Sequence, residues 1–223
     1  MWLRLAGLLA VLGLPFATGQ AQGPLRYLAL GDSYSIGEGV EPVRRWPVQL
    51  ATALRREGID IADPHLIART GWTTDELAAA MDAQEPLGEW DFVSLLIGVN
   101  NQYRGRSLDG FGQDFRRLLE RAVQLARGRP ERVMVLAIPD WGITPFAQGR
   151  DRSRIAAELD AYNAVKAAIC RELGVAFVDI AALSRARGAE PAMLAADGLH
   201  PSGALYALWS TAALPIAHEL LGR

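Results

Sequence analysis

The sequence predicts an α/β fold in which a five-stranded parallel sheet lies between two layers of helices. Two observations carry that reading. Short apolar runs alternate with longer stretches whose apolar residues recur every three or four positions, the rhythm of strand and helix in turn. The short runs are also apolar almost throughout rather than at alternate positions, as strands buried on both faces are. Successive parallel strands need right-handed crossovers, which places a site beyond the carboxyl ends of the strands.

The first run, Arg26-Tyr27-Leu28-Ala29-Leu30, stops at Gly31 and suits a buried strand. Pro47 then opens a helical pattern through Val48, Leu50 and Leu54, proline being favoured in a first turn. A weaker strand lies at His65-Leu66-Ile67-Ala68, and the next helix starts after Thr73-Thr74, where Glu76 completes a capping pattern. Phe92-Val93-Ser94-Leu95-Leu96-Ile97 is the clearest strand and again ends in glycine. A helix is expected over residues 112–126, with Phe115, Leu118, Leu119, Val123 and Leu125 on its apolar face. Residues 132–138 read as the fourth strand, stopped by Pro139. Ile155, Leu159, Tyr162, Val165 and Ile169 mark a further helix, residues 175–180 the fifth strand, and residues 203–221 the last helix. Residues 99–109 and 181–199 are the longest irregular pieces, and long loops in compact domains tend to carry function.

Composition narrows the class. Half the residues are hydrophobic, and 23 Lys+Arg nearly cancel 25 Asp+Glu, so one domain with a continuous core is expected over residues 22–223. There is no basic stripe for nucleic acid and no basic amphipathic helix for a membrane surface. Lys166 is the only lysine, a bias toward arginine that reads as compositional. Cys170 is the only cysteine; it excludes an internal disulfide and falls in an apolar helical stretch that suits the core. Residues 1–21 have the pattern of a signal peptide: Arg4, an apolar run from Leu5 to Ala17, then Gly19 and Ala21 as the small pair before cleavage. A secreted or periplasmic protein with no membrane span after processing is the expectation, and nothing in the sequence sets an oligomeric state.

The polar residues gather at the strand ends. The first strand runs into Gly31-Asp32-Ser33, the third into Gly98-Val99-Asn100-Asn101, and the segment before the last helix reads Asp197-Gly198-Leu199-His200. A serine after a strand is by itself more often a helix cap. A serine hydroxyl becomes nucleophilic when a base takes its proton and a third group fixes the tautomer of that base. Of the three histidines, His65 and His218 read as structural or surface residues, whereas His200 has Asp197 three residues earlier in a turn, within reach of its Nδ1. The oxyanion of a tetrahedral intermediate needs donors, and the candidates are the backbone N–H of Ser33, that of Gly71 and the side-chain amide of Asn100.

These three blocks, with the isolated Gly71 after the second strand as a fourth, stand in this order across residues 27–200 and resemble those of the SGNH/GDSL hydrolase family, the GDSL-type esterases and lipases. The resemblance implies a flavodoxin-like three-layer α/β/α sandwich. It also implies Ser33 as nucleophile and oxyanion donor, Gly71 and Asn100 as the other donors, His200 as base and Asp197 as its orienting acid. One position departs from the pattern: Asn101 stands where the family often has aspartate, which bears on the packing of the loop beside the site. The elbow of α/β-hydrolases, Gly-x-Ser-x-Gly, is not matched, since Ser35 replaces the last glycine. No Gly-x-Gly-x-x-Gly, P-loop lysine or metal-ligand spacing occurs, so neither cofactor nor metal is expected. Trp72, Tyr103, Phe111 and Trp141 are expected around the mouth of the site. The expected partner is a small ester, with a short acyl chain or an O-acetyl group. Three alternatives stand beside it: a lipase or lysophospholipase, an acyltransferase using the same acyl-enzyme, and a binding module that has lost the chemistry.

Overall fold

A computed structural model describes residues 23–222; the signal peptide expected over residues 1–21 lies outside them. Five strands, β1 (Tyr27–Gly31), β2 (His65–Ala68), β3 (Phe92–Leu96), β4 (Val133–Leu136) and β5 (Ala176–Val178), form one sheet. Every pairing is parallel and the order is β2-β1-β3-β4-β5. β1 and β3 run in register from Tyr27 opposite Phe92 to Gly31 opposite Leu96, so the two end side by side. The strand order reverses between them, and the crevice at such a switch point is where open α/β sheets bind ligands.

The helices are α1 (Ser33–Ile36), α2 (Trp46–Arg56), α3 (Thr74–Asp82), α4 (Val99–Tyr103), α5 (Leu108–Leu125), α6 (Arg152–Leu173), α7 (Ala181–Arg187) and α8 (Gly203–Leu221). α2 packs along α8, while α5 packs along α6 and α3, giving the two helical layers that right-handed crossovers require. β1, β3 and β4 are buried at every residue, which is why they read as continuous apolar runs. β2, at one edge, fully buries only Ile67 and carries the weaker sequence signal.

Caps and apolar spacing explain the long helices. Thr73 and Glu76 form the capping box that opens α3. The Ser107 side chain accepts from the Gly110 N–H and starts α5 at Leu108, four residues before the expected position. Phe111 therefore joins Phe115, Leu118, Leu119 and Ala122 on the buried face. Residues 99–109 and 181–199, expected to be irregular, hold α4, the start of α5 and α7.

α6 is capped by Asp151 and ended by Gly174 in the left-handed region; it buries Ile155, Leu159, Tyr162, Lys166, Ile169 and Cys170. Lys166 is thus a core residue rather than a mark of composition alone. Its Nζ donates to the carbonyls of Ile97 (3.1 Å) and Leu136 (2.8 Å), just past β3 and at the end of β4.

Candidate active site

Each functional side chain is placed by the backbone that follows a strand. After β1, Asp32 caps α1 by accepting the Tyr34 N–H at 3.0 Å. Ser33 is then the first helical residue, whose own N–H has no intrahelical acceptor. The Asp32 carboxyl is fully buried, and its Oδ2 has no hydrogen-bond partner among the described residues. Burial pushes it up to about 7, against the opposing pull of the Tyr34 N–H and the Lys166 charge.

After β3, Gly98 turns the chain at φ 123°, and an added Cβ would lie 2.7 Å from Phe111 Cε2 and 2.9 Å from Ile138 Cδ1. Only glycine satisfies both demands. The turn sets α4 at the sheet edge with Asn100 in its first turn. One N–H of the Asn100 amide donates to the Trp72 carbonyl at 2.9 Å, leaving the other for a ligand. The loop after β2 carries Gly71 at φ 87°, and the Arg104 guanidinium donates to its carbonyl. Two bonds from α4 and its end therefore fix the loop that carries Gly71.

Asn101, the departure from the family pattern, is nearly fully buried. Its Oδ1 accepts the Thr74 N–H (3.1 Å) and its Nδ2 donates to Thr74 Oγ1 (2.8 Å). Both ends of the amide dock α4 on the start of α3, so the loop packing is intact with asparagine.

Before α8, Asp197 holds its turn and its neighbour together. Oδ1 accepts the N–H groups of Leu199 and His200, both at 2.9 Å, and Oδ2 lies 2.6 Å from His200 Nδ1. Burial pushes the Asp197 carboxyl up, but the bonds from His200 and the two amides outweigh it and hold it below the usual carboxylate range. An ionised carboxylate only accepts, so the proton sits on Nδ1 and leaves Nε2 with a free lone pair. The Tyr34 ring stands edge-on to the imidazole, at 5.8 Å between centroids, and Trp209 backs Tyr34 at 5.9 Å.

Ser33, Gly71, Asn100 and His200 line one cavity of about 190 Å³, with Asp197 behind His200. No hydrogen bond joins Ser33 to His200 among the described residues. Of the expected aromatics, Tyr103 and Trp141 form the wall. Trp72 contributes its carbonyl to Asn100 rather than its ring to the cavity. Phe111 does not line it either: 1% exposed, it stacks on Tyr162 at 4.4 Å in the core. Tyr34, Phe146 and Leu199 complete the wall unanticipated. The first and last adjoin Ser33 and His200 in the sequence and could have been found from that. Outside the cavity, His65 stacks on Trp90 and His218 approaches Glu57. Among the described residues no group of three His, Cys, Asp or Glu side chains is placed to hold a metal ion.

A parallel sheet of this order, with a Gly-Asp-Ser turn at its switch point, is the fold of the SGNH hydrolases. The profile of the GDSL-like lipase/acylhydrolase family matches residues 29–208, and the chain belongs to that family. Solved structures agree in fold. TesA superposes with a TM-score of 0.69 at 21% identity, covering 88% of this chain and 99% of that one. Axe2, an acetylxylan esterase from Geobacillus stearothermophilus, gives 0.67 at 23% identity, covering 87% and 96%. The psychrotrophic esterase EstA from Pseudoalteromonas sp. gives 0.67 at 17%, covering 89% and 99%. No curated protein sequence matches the chain.

Proposed function

We propose that the protein hydrolyses carboxylic esters through an acyl-enzyme on Ser33, with short acyl or O-acetyl groups as substrates. The observation that carries this is the meeting of Ser33, His200, Gly71 and Asn100 around one cavity, with Asp197 bonded to the far side of the imidazole. In this reading His200 Nε2 takes the Ser33 proton as Oγ attacks the ester carbonyl. The N–H groups of Ser33 and Gly71 and the free N–H of Asn100 receive the oxyanion. His200 then returns the proton to the departing alkoxide, and a water activated by the same imidazole releases the acid. Asp197 keeps the proton on Nδ1 and stabilises the imidazolium in both halves.

Cavity size supports the acyl preference. At about 190 Å³, it falls below the roughly 300–1,000 Å³ of pockets that enclose drug-sized ligands. Trp141 and Phe146 wall it. The likeness to Axe2, an acetylxylan esterase, supports O-acetyl groups in particular. Residues 1–21, read as an export signal, support a reaction outside the cytoplasm.

The test is hydrolysis of p-nitrophenyl esters from acetate to palmitate by the mature protein and by Ser33→Ala. Serine-dependent turnover that peaks at acetate or butyrate is the expected result. A peak at long chains would make the protein a lipase or lysophospholipase, and turnover that survives in Ser33→Ala would remove the acyl-enzyme.

A further inference from the structure

A second cavity, of about 530 Å³, adjoins the first across Tyr103 and Trp141, which line both. Its charged groups are Arg106, Arg150, Asp151, Arg154 and Glu158. Four of the five are engaged. Arg154 Nε bonds Glu158 Oε1 at 2.7 Å, Asp151 caps α6 through the Arg154 N–H at 2.9 Å, and Arg106 reaches Asp75 at 3.7 Å. Arg150 has no carboxylate partner among the described residues; its side-chain hydrogen bond goes to Tyr103 Oη at 3.1 Å.

What holds Arg150 is aromatic. Its guanidinium carbon lies 5.2 Å from the Tyr103 ring centre, 5.4 Å from that of Trp141 and 5.3 Å from that of Phe146. A guanidinium held over aromatic rings keeps further in-plane N–H groups for an acceptor, and these match a carboxylate or phosphate. The wall is braced from behind: Trp141 Nε1 donates to Gln102 Oε1 at 2.9 Å, and Gln102 Nε2 donates to Glu158 Oε2 at 2.7 Å. A cation already positioned in this way lowers the ordering cost of binding an anion.

We propose that the second cavity seats the alcohol portion of the ester, and that Arg150 is the counter-ion for an oxyanionic group, carboxylate or phosphate, carried on that alcohol. This rests on the hydrolase reading, in which the small cavity takes the acyl group. The enzyme then prefers acetyl esters of acidic alcohols to neutral ones of similar size.

Three aryl acetates test it: 4-acetoxybenzoate, 4-acetoxyphenyl phosphate and neutral methyl 4-acetoxybenzoate, each with wild type, Arg150→Gln and Arg150→Lys. Arg150→Gln is expected to lower the anionic-to-neutral ratio of kcat/KM about tenfold, mainly through KM, with partial recovery in Arg150→Lys. The preference is expected to shrink with added salt, since the guanidinium is exposed. Comparing variants on one substrate cancels leaving-group differences, and the two anionic arms show which oxyanion is favoured. A ratio unchanged by Arg150→Gln overturns the proposal. Calorimetric binding of 4-hydroxybenzoate to Ser33→Ala and to Ser33→Ala/Arg150→Gln needs no turnover. About tenfold weaker binding to the double variant is expected, and equal binding overturns the proposal. Absent turnover with that binding difference retained would remove the hydrolase reading and leave the anion site standing.

Discussion

At the scale of single residues, Asp197 and His200 leave little slack between them. His200 Nδ1 has the Asp197 carboxylate as its partner at 2.6 Å, and the other oxygen of the same carboxylate ties down the turn. In Asp197→Asn the amide would offer a donor to Nδ1 and drive the proton to Nε2, facing Ser33 in the wrong tautomer. The expected outcome is a loss of kcat of about 10³–10⁴, close to that of His200→Ala. Parallel kcat measurements on the two variants check it; an Asp197→Asn loss below about tenfold would show that the carboxylate is dispensable. Asp197 and His200 could be read from the sequence because a carboxylate three residues before a histidine in a turn is rare and chemically pointed. Arg150 could not, because nothing in an arginine before an aspartate tells that a ring from α4 and two from its own loop converge on it.

Among the elements, α4 matters most for its size. Five residues long, it carries Asn100 toward the cavity, Asn101 toward α3 and Tyr103 toward the aromatic wall. Its position depends on Gly98, where positive φ and the contacts with Phe111 and Ile138 exclude a side chain. Gly98→Ala is expected to cost about 2–4 kcal/mol of stability, measurable by urea unfolding. It should also lower kcat by about tenfold or more by shifting Asn100. Unchanged stability would mean that α4 tolerates displacement. The sequence marked this stretch as functional but irregular, since five residues are too few to display a helical period. The helix α5 was legible apart from its first turn, and that turn decides the fate of Phe111: within a loop it would have been free to face the cavity, but one turn into α5 it faces the core.

For the molecule as a whole, Lys166 links the sheet to its site. The amine crosses from α6 to the carbonyls of Ile97 and Leu136, bridging the residue just past β3 and the last residue of β4. Burial pushes it down to about 7, against the opposing pull of Cys170 and Asp32. Between that value and the ordinary lysine range near 10.5, the unfolded chain binds the proton that the native protein has released. Raising the pH across this window therefore favours the native state. The Tm of wild type relative to Lys166→Met is expected to climb by on the order of 5–10 °C from pH 7 to pH 10. A flat difference would place the charged amine in the native core throughout. The three central strands were plain in the sequence because buried parallel strands are apolar on both faces, whereas the edge strands β2 and β5 are only partly buried. The lysine lay on the same helical stripe, four residues after Tyr162 and three before Ile169, yet a charged residue at a core position reads as noise until its partners are seen.

The site is also assembled from both ends of the chain. Ser33, Gly71 and Asn100 follow β1, β2 and β3, whereas His200 arrives on the turn before α8, which must pack along α2 for the base to stand in place. A chain emerging from synthesis thus holds Ser33, Gly71 and Asn100 long before it holds His200. In the proposed mechanism the site lacks its base until the last helix docks, and recovery of activity on refolding becomes a clock for that single event.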